Sequence, residues 1–257
     1  MQRGTERYIF PGMNEKKAPA PVTSSPSVPA GPRSSTQEIG NFLRDAKALA
    51  EIRSGSGRLI LALDATMSRQ PTWDLACALQ AEMFDAVGNV GTLDVQLVYF
   101  RGLEECRASK FVSDTGSLKR LMTSIRCQGG QTQIGKVLSH ALKETARGKI
   151  AALVYIGDAM EEDVDALAVK AGNLGLHGVP VFAFQEGTDS HAELAFKEMA
   201  RLSKGAWFRF DRDAAATLAK LLSAVAVFAA GGIKALEARG RAEDRLMIEH
   251  LRGGGRR

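Results

Sequence analysis

The feature that most constrains this chain is a set of short, continuously apolar runs, each followed by a segment of helical period. Leu59-Ile60-Leu61-Ala62-Leu63 is the first, and residues 150–156 and 179–184 repeat the pattern. A run that is apolar at every position leaves no face for water. As a strand it must be covered on both sides, which is the signature of a parallel sheet held between helices. The intervening segments supply those helices. Pro71 sits well for the first turn of a helix reaching about Val87. Ile134, Val137, Leu138, Ala141 and Leu142 share one face of a helix over 133–146, and Val164, Leu167, Ala168, Ala171 and Leu174 mark the next. Ser190-His191-Ala192-Glu193 has capping-box spacing, with Ser190 as the cap, and opens a helix that Gly205 closes. Residues 93–100 and 207–210 read as further strands, 117–125 as a short helix, and 213–230 as an alanine-rich helix. The expected architecture is α/β, a doubly wound and mostly parallel sheet with helices on both faces. Residues 106–112 depart from the parallel rule. Only 101–105 separate them from strand 93–100, too few for a crossover, so the two are expected as an antiparallel hairpin with 106–112 at the sheet edge.

One domain over residues 36–237 accommodates this alternation. It begins with a helix whose capping box, Ser35-Thr36-Gln37-Glu38, precedes Ile39, Phe42, Leu43, Ala46, Leu49 and Ile52. Residues 1–35 are rich in Pro, Ser and Ala and read as a disordered tail. Residues 238–257 read as a basic tail or a short helix, amphipathic through Leu246, Met247, Ile248 and Leu251. Charge follows the same division. The net +5 resolves into +3 within residues 1–37, +3 within 231–257 and −1 in between, so the body is near neutral. Cys77, Cys106 and Cys127 form no close pair and fit buried thiols in a reducing compartment. The N-terminus lacks the apolar core of a secretory signal. The most apolar late stretch, 221–233, is shorter than the roughly 20 residues of a membrane span. A soluble, cytoplasmic protein without a membrane span is expected.

In an open parallel sheet, ligands bind beyond the carboxyl ends of the strands, where strand order reverses. The first strand delivers Asp64-Ala65-Thr66-Met67-Ser68 there, and strand 150–156 delivers Gly157-Asp158. Gly129-Gly130-Gln131-Thr132 sets a hydroxyl immediately before the helix at 133. Two carboxylates and three hydroxyls thus come from three segments that one sheet edge can gather. All are hard oxygen donors, suited to Mg²⁺, Mn²⁺ or Ca²⁺.

Asp64-x-Thr66-x-Ser68, Thr132 after a Gly-Gly turn, and Asp158 after an apolar strand resemble the metal-ion-dependent adhesion site of von Willebrand factor A domains. The resemblance extends over about residues 58–230 and includes the order of strands and helices. Thr66 stands where that family usually has Ser, and Met67 where it commonly has a small glycine. The resemblance implies direct metal coordination by the Thr66, Ser68 and Thr132 hydroxyls, and by Asp64 and Asp158 directly or through water. Two carboxylates only balance a divalent ion, so the metal stays electrophilic and a carboxylate from a partner can complete its shell. It further implies a bacterial, non-enzymatic adaptor whose partner presents an acidic residue, with a MoxR-type AAA+ ATPase as one such partner.

Other readings compete. The same acidic and hydroxyl side chains could simply cap helices and brace loops. A phosphatase of the haloacid dehalogenase kind needs a second aspartate where Thr66 stands. Gly129–Gly135 lacks the lysine and spacing of a phosphate-binding loop. A metal-dependent hydrolase would need a base, for which Asp189 and His191 are the candidates. Glu161-Glu162-Asp163 reads as acids opening a helix, where the macrodipole favours them, with gating of the metal site as the alternative. Trp73 reads as core rather than ligand surface. Arg239, Arg241, Arg245, Arg252, Arg256 and Arg257 could contact nucleic-acid phosphates, but acidic residues interrupt them and no aromatic group accompanies them.

Overall fold

The computed structural model describes residues 56–66, 70–211 and 215–253. The proposed tail at 1–35, the helix at 36–52, and Met67 and Ser68 lie outside these. Six strands form one sheet: β1 (Ser56–Asp64), β2 (Thr92–Arg101), β3 (Glu105–Val112), β4 (Ala152–Gly157), β5 (Val181–Glu186) and β6 (Ala206–Phe210). Their order is β3-β2-β1-β4-β5-β6. All neighbouring pairs are parallel except β2–β3, the hairpin at the edge. Strand order reverses between β1 and β4, so the carboxyl ends of these two adjacent strands flank the crevice where such sheets bind ligands.

Alternation along β1 shows why its sequence is apolar throughout. Leu59, Leu61 and Leu63 enter one core layer, and Ile60 and Ala62 the other; none is more than 2% exposed. The first layer is completed by α1 (Gln70–Val87), α2 (Thr115–Thr123) and α6 (Ala215–Arg239). Trp73 belongs to it as a core residue, its indole N–H donating to the Met122 carbonyl at 3.2 Å. The second layer is completed by α3 (Ile134–Thr145), α4 (Val164–Leu176) and α5 (Ser190–Ser203). Burying each such leucine or isoleucine contributes about 1.5–3 kcal/mol, so the central strand alone anchors both layers.

Several local expectations are corrected. The cap of α5 is Asp189, not Ser190: its carboxylate accepts from Ala192 N at 2.6 Å. The left-handed residue ending α5 is Lys204 (φ 61°). Gly205 serves close packing instead, since a Cβ there would lie 2.0 Å from the Val181 carbonyl oxygen. The alanine-rich helix continues past residue 230 to Arg239, with a break at Gly232 (φ 66°, ψ −163°). It is therefore long and apolar enough to cross a membrane, but 61% of that window is buried within the fold.

The last element, α7 (Ala242–Gly253), folds back onto the domain. Met247 is fully buried, and His250 packs on Phe208 of β6 with ring centroids 5.0 Å apart. Asp244, also fully buried, accepts from Arg239 Nε at 2.8 Å and Arg241 N at 2.9 Å, while Arg239 Nη1 donates to Ser223 at 2.6 Å. Arg252 pairs with Glu237. Of the arginines proposed as phosphate contacts, Arg239 is thus committed inside the protein, while Arg252 holds an exposed ion pair.

Candidate metal centre

The β1–β4 ladder pairs Leu63 with Ile156, so Asp64 lies level with Gly157 and Asp158 follows one residue later. Asp64 is 3% exposed, and its Oδ1 accepts from Thr66 N at 2.7 Å. That bond turns the chain sharply off the strand and brings the Thr66 side chain back beside the carboxylate. The third segment is fixed from the opposite side. Gly130 packs against the β2–β3 turn so closely that a Cβ would lie 2.1 Å from the Gly102 carbonyl oxygen, and Gln131 N donates to that same oxygen at 3.1 Å. Any side chain at position 130 would push the loop, and Thr132 with it, off the rim.

Asp64, Thr66, Thr132 and Asp158 consequently line one pocket of about 220 Å³, together with Gly129, Gly130, Ala159 and Glu161. Ser68, the remaining expected ligand, lies outside the described residues. The donors facing this pocket are oxygens, with no histidine, cysteine, lysine or arginine among its lining residues. Among the described residues no three acidic, histidine or cysteine side chains are grouped to hold a metal. A cation here would thus depend on hydroxyl ligands, and Thr66 and Thr132, 8% and 7% exposed, are buried in the position to supply them. This donor set fits a hard divalent ion.

The acidic triplet at 161–163 departs from its expected role. Only Asp163 caps the helix that follows it, accepting from Ala166 N at 2.7 Å. Glu162 crosses to α3 and caps that helix, accepting from Ile134 N and, at 2.8 Å, from Gly135 N. Burial holds its carboxyl above the ordinary carboxylate range, opposed by the bonds from Gly135 and Ile134. Glu161 reaches Thr132: its Oε2 accepts from Thr132 Oγ1 at 2.7 Å and from Thr132 N at 2.9 Å, while Glu161 N donates to Thr132 Oγ1 at 3.2 Å. Thr132 therefore does not cap α3, whose first residues belong to Glu162. Its hydroxyl proton is directed at Glu161, which leaves the oxygen electron-rich towards the pocket.

A second acidic pocket of about 380 Å³ adjoins the first, sharing Asp158 and lined also by Glu186, Asp189 and Asp211. Glu186 and Asp211 escaped the sequence reading, although the strand-end rule that selects Asp64 would have found them at β5 and β6. His191 is exposed and lines neither pocket, and Asp189 is engaged as the α5 cap.

No protein-family model matches the chain, and no curated protein does. Solved structures do. An aerotolerance-related membrane protein from Bacteroides fragilis superposes with a TM-score of 0.51 at 21% identity, over 65% of this chain and 96% of that one. A von Willebrand factor type A protein from Catenulispora acidiphila gives 0.55 at 19% identity, over 69% of this chain and 43% of its own. Proximal thread matrix protein 1 from the mussel byssus, with a zinc-occupied MIDAS motif, gives 0.55 at 16% identity, over 67% and 46%. The chain spans less than half the length of these last two. In strand order, in its single antiparallel edge strand and in the position of its strand-end crevice, this chain has the von Willebrand factor A fold.

Proposed function

We propose that this protein is a divalent-metal-dependent protein-binding module, acting as an adaptor and not as an enzyme. The observation that carries the reading is the convergence of Asp64, Thr66, Thr132 and Asp158 on one oxygen-lined pocket at the β1–β4 switch point. These residues, with Ser68, would hold Mg²⁺, with Mn²⁺ or Ca²⁺ as substitutes. When bound, the ion supplies an electrophilic position for an acidic side chain of a partner. The chain's own residues do the rest: Gly130 sets the loop, Asp64 ties the strand end to Thr66, and Glu161 orients the Thr132 hydroxyl. The zinc-occupied MIDAS of the mussel-byssus protein supports metal use in a site of this fold. A MoxR-type AAA+ ATPase is the partner class we propose, in a cytoplasmic, bacterial setting.

The test is an affinity pull-down from the cells that express the protein, with Mg²⁺ and with EDTA, using wild type and Asp64→Ala. Partners retained only by the wild type in Mg²⁺ are expected. An identical partner list under all conditions would overturn the proposal.

A further inference from the structure

A second feature lies away from the metal centre, between the edge strand β3 and helix α3. A groove of about 310 Å³ is lined by Arg107 of β3, Lys136, Ser139, His140 and Lys143 of α3, and Lys170 of α4, with no acidic residue among those lining it. Residues 136, 139, 140 and 143 recur at helical intervals, so α3 presents them on one face. The body of the protein carries a net charge of −1, so four cations around one groove are not a by-product of general basicity.

Of the four, Arg107 pairs with Glu105, while Lys136 and Lys170 donate to neutral groups. The Lys136 ammonium donates to the Glu104 carbonyl and to Gln133 Oε1, both at 2.9 Å, and the Lys170 ammonium donates to the Gly135 carbonyl at 3.0 Å. All three acceptors are neutral; they orient the ammonium groups without neutralising them. Among the described residues Lys136, Lys143 and Lys170 form no ion pair. Two carboxylates lie nearby, each shared with groups outside the groove, and Glu162 also faces the Lys170 charge. Glu105 is shared between Arg101 and Arg107, each at 2.8 Å, and Glu162 caps α3. His140 Nε2 donates to Gln96 Oε1 at 2.9 Å, which fixes its ring at the groove wall.

We propose that this groove binds a compact, multiply charged phosphoanion of the diphosphate class. Oriented cations facing a small volume suit a dense tetrahedral polyanion, because each phosphoryl oxygen can accept a charge-assisted hydrogen bond from a different donor. A single carboxylate would leave most of that charge unmet. No Phe, Tyr or Trp lines the groove, and the His140 ring is held at its wall by Gln96, so the phosphoryl groups determine affinity. This site is independent of the metal reading.

The test is an amide NMR titration of the metal-free full chain with sodium pyrophosphate, and separately with ADP, at constant ionic strength. Saturable shifts on α3 and β3 are expected, with the two ligands binding equally. Lys143→Glu, at an exposed side chain with no hydrogen bond to lose, is expected to weaken binding about tenfold or more. Lys136→Ala should weaken it as well, whereas Lys119→Ala, on the exposed face of α2, and Asp64→Asn should bind as wild type. Linear, unsaturable shifts would overturn the proposal. So would retention in Lys143→Glu, equal loss in Lys119→Ala, or loss in Asp64→Asn, the last placing the anion at the metal centre.

Discussion

Two buried aspartates face opposite electrostatic situations. Asp244, at the α6–α7 corner, is matched inside the fold: a guanidinium, a backbone N–H and the Ser223 hydroxyl form one closed network with Arg239 at its centre. Asp64, at the rim, sits in a pocket lined by three carboxylates and no lysine or arginine. The first corner is complete without any outside species. The second gathers three carboxylates and two buried hydroxyls around one pocket where the sheet ends. A carboxylate closed in by a guanidinium serves the fold, whereas a pocket of carboxylates and buried hydroxyls without a cationic side chain has the chemistry of a cation site.

The largest expected effect falls on the closed corner. Asp244→Ala strands a buried guanidinium, a change that typically costs about 3–5 kcal/mol. Urea denaturation should report that loss, and α7 should detach with it. Asp64→Asn keeps an oxygen to accept from Thr66 N and removes one charge from an acidic pocket. In metal-free buffer it should shift stability by no more than about 1 kcal/mol. Comparable losses at the two sites would break the distinction.

Glu161 sharpens the comparison from within the rim. A carboxylate that orients a metal-binding hydroxyl typically contributes 10–100-fold to affinity. Glu161→Ala is therefore expected to weaken Mg²⁺ binding about tenfold by calorimetry, near the low end because the side chain is exposed. Tighter binding in that variant would instead make Glu161 an occupant that the metal must displace, the gating role.

The smallest effect concerns His140, whose pKa burial lowers from the ordinary 6.5, opposed by Glu144 and reinforced by Arg147 and Lys143. Its neutral form is favoured in the folded state. The associated stability is therefore complete above about pH 6.5 and is lost as pH falls through the lower folded value. Thermal melts between pH 7.5 and 5 should show a steeper decline for wild type than for His140→Gln, and equal slopes would remove the effect. Cys77, pushed up to about 11 by burial and then by Asp74, should resist alkylation at pH 8 while the protein is folded.

Much of this architecture is legible in sequence because it depends on local period. The continuous apolar runs, the helical spacing in α3 and α4, and the short connection of the hairpin each name their element without tertiary information. Boundaries shift where an apolar residue serves another purpose. The run at 179–184 becomes β5 at 181–186, because Val179 N closes α4 on the Leu174 carbonyl at 2.9 Å and Pro180 has no N–H for the ladder. At the rim, the strand-end rule identifies Asp64 and Asp158 directly. What sequence cannot give is the bond between Glu161 and Thr132, or the cap that Glu162 places on α3. Both span nearly thirty positions and depend on the close approach of Glu162 to Gly135, where a Cβ would lie 2.8 Å from the carboxylate. Read locally, three consecutive acids before a helix serve that helix; in the fold, one of them caps another helix and one braces Thr132.

The central claim is that the rim pocket is built for a divalent cation held by Asp64 and its neighbouring hydroxyls. Isothermal titration of Mg²⁺ into the metal-free full chain, wild type beside Asp64→Asn, tests it most directly. The account predicts a single saturable site in the wild type and none in Asp64→Asn, with both proteins equally folded. Equal binding by the two, or no saturable binding by the wild type, would contradict it.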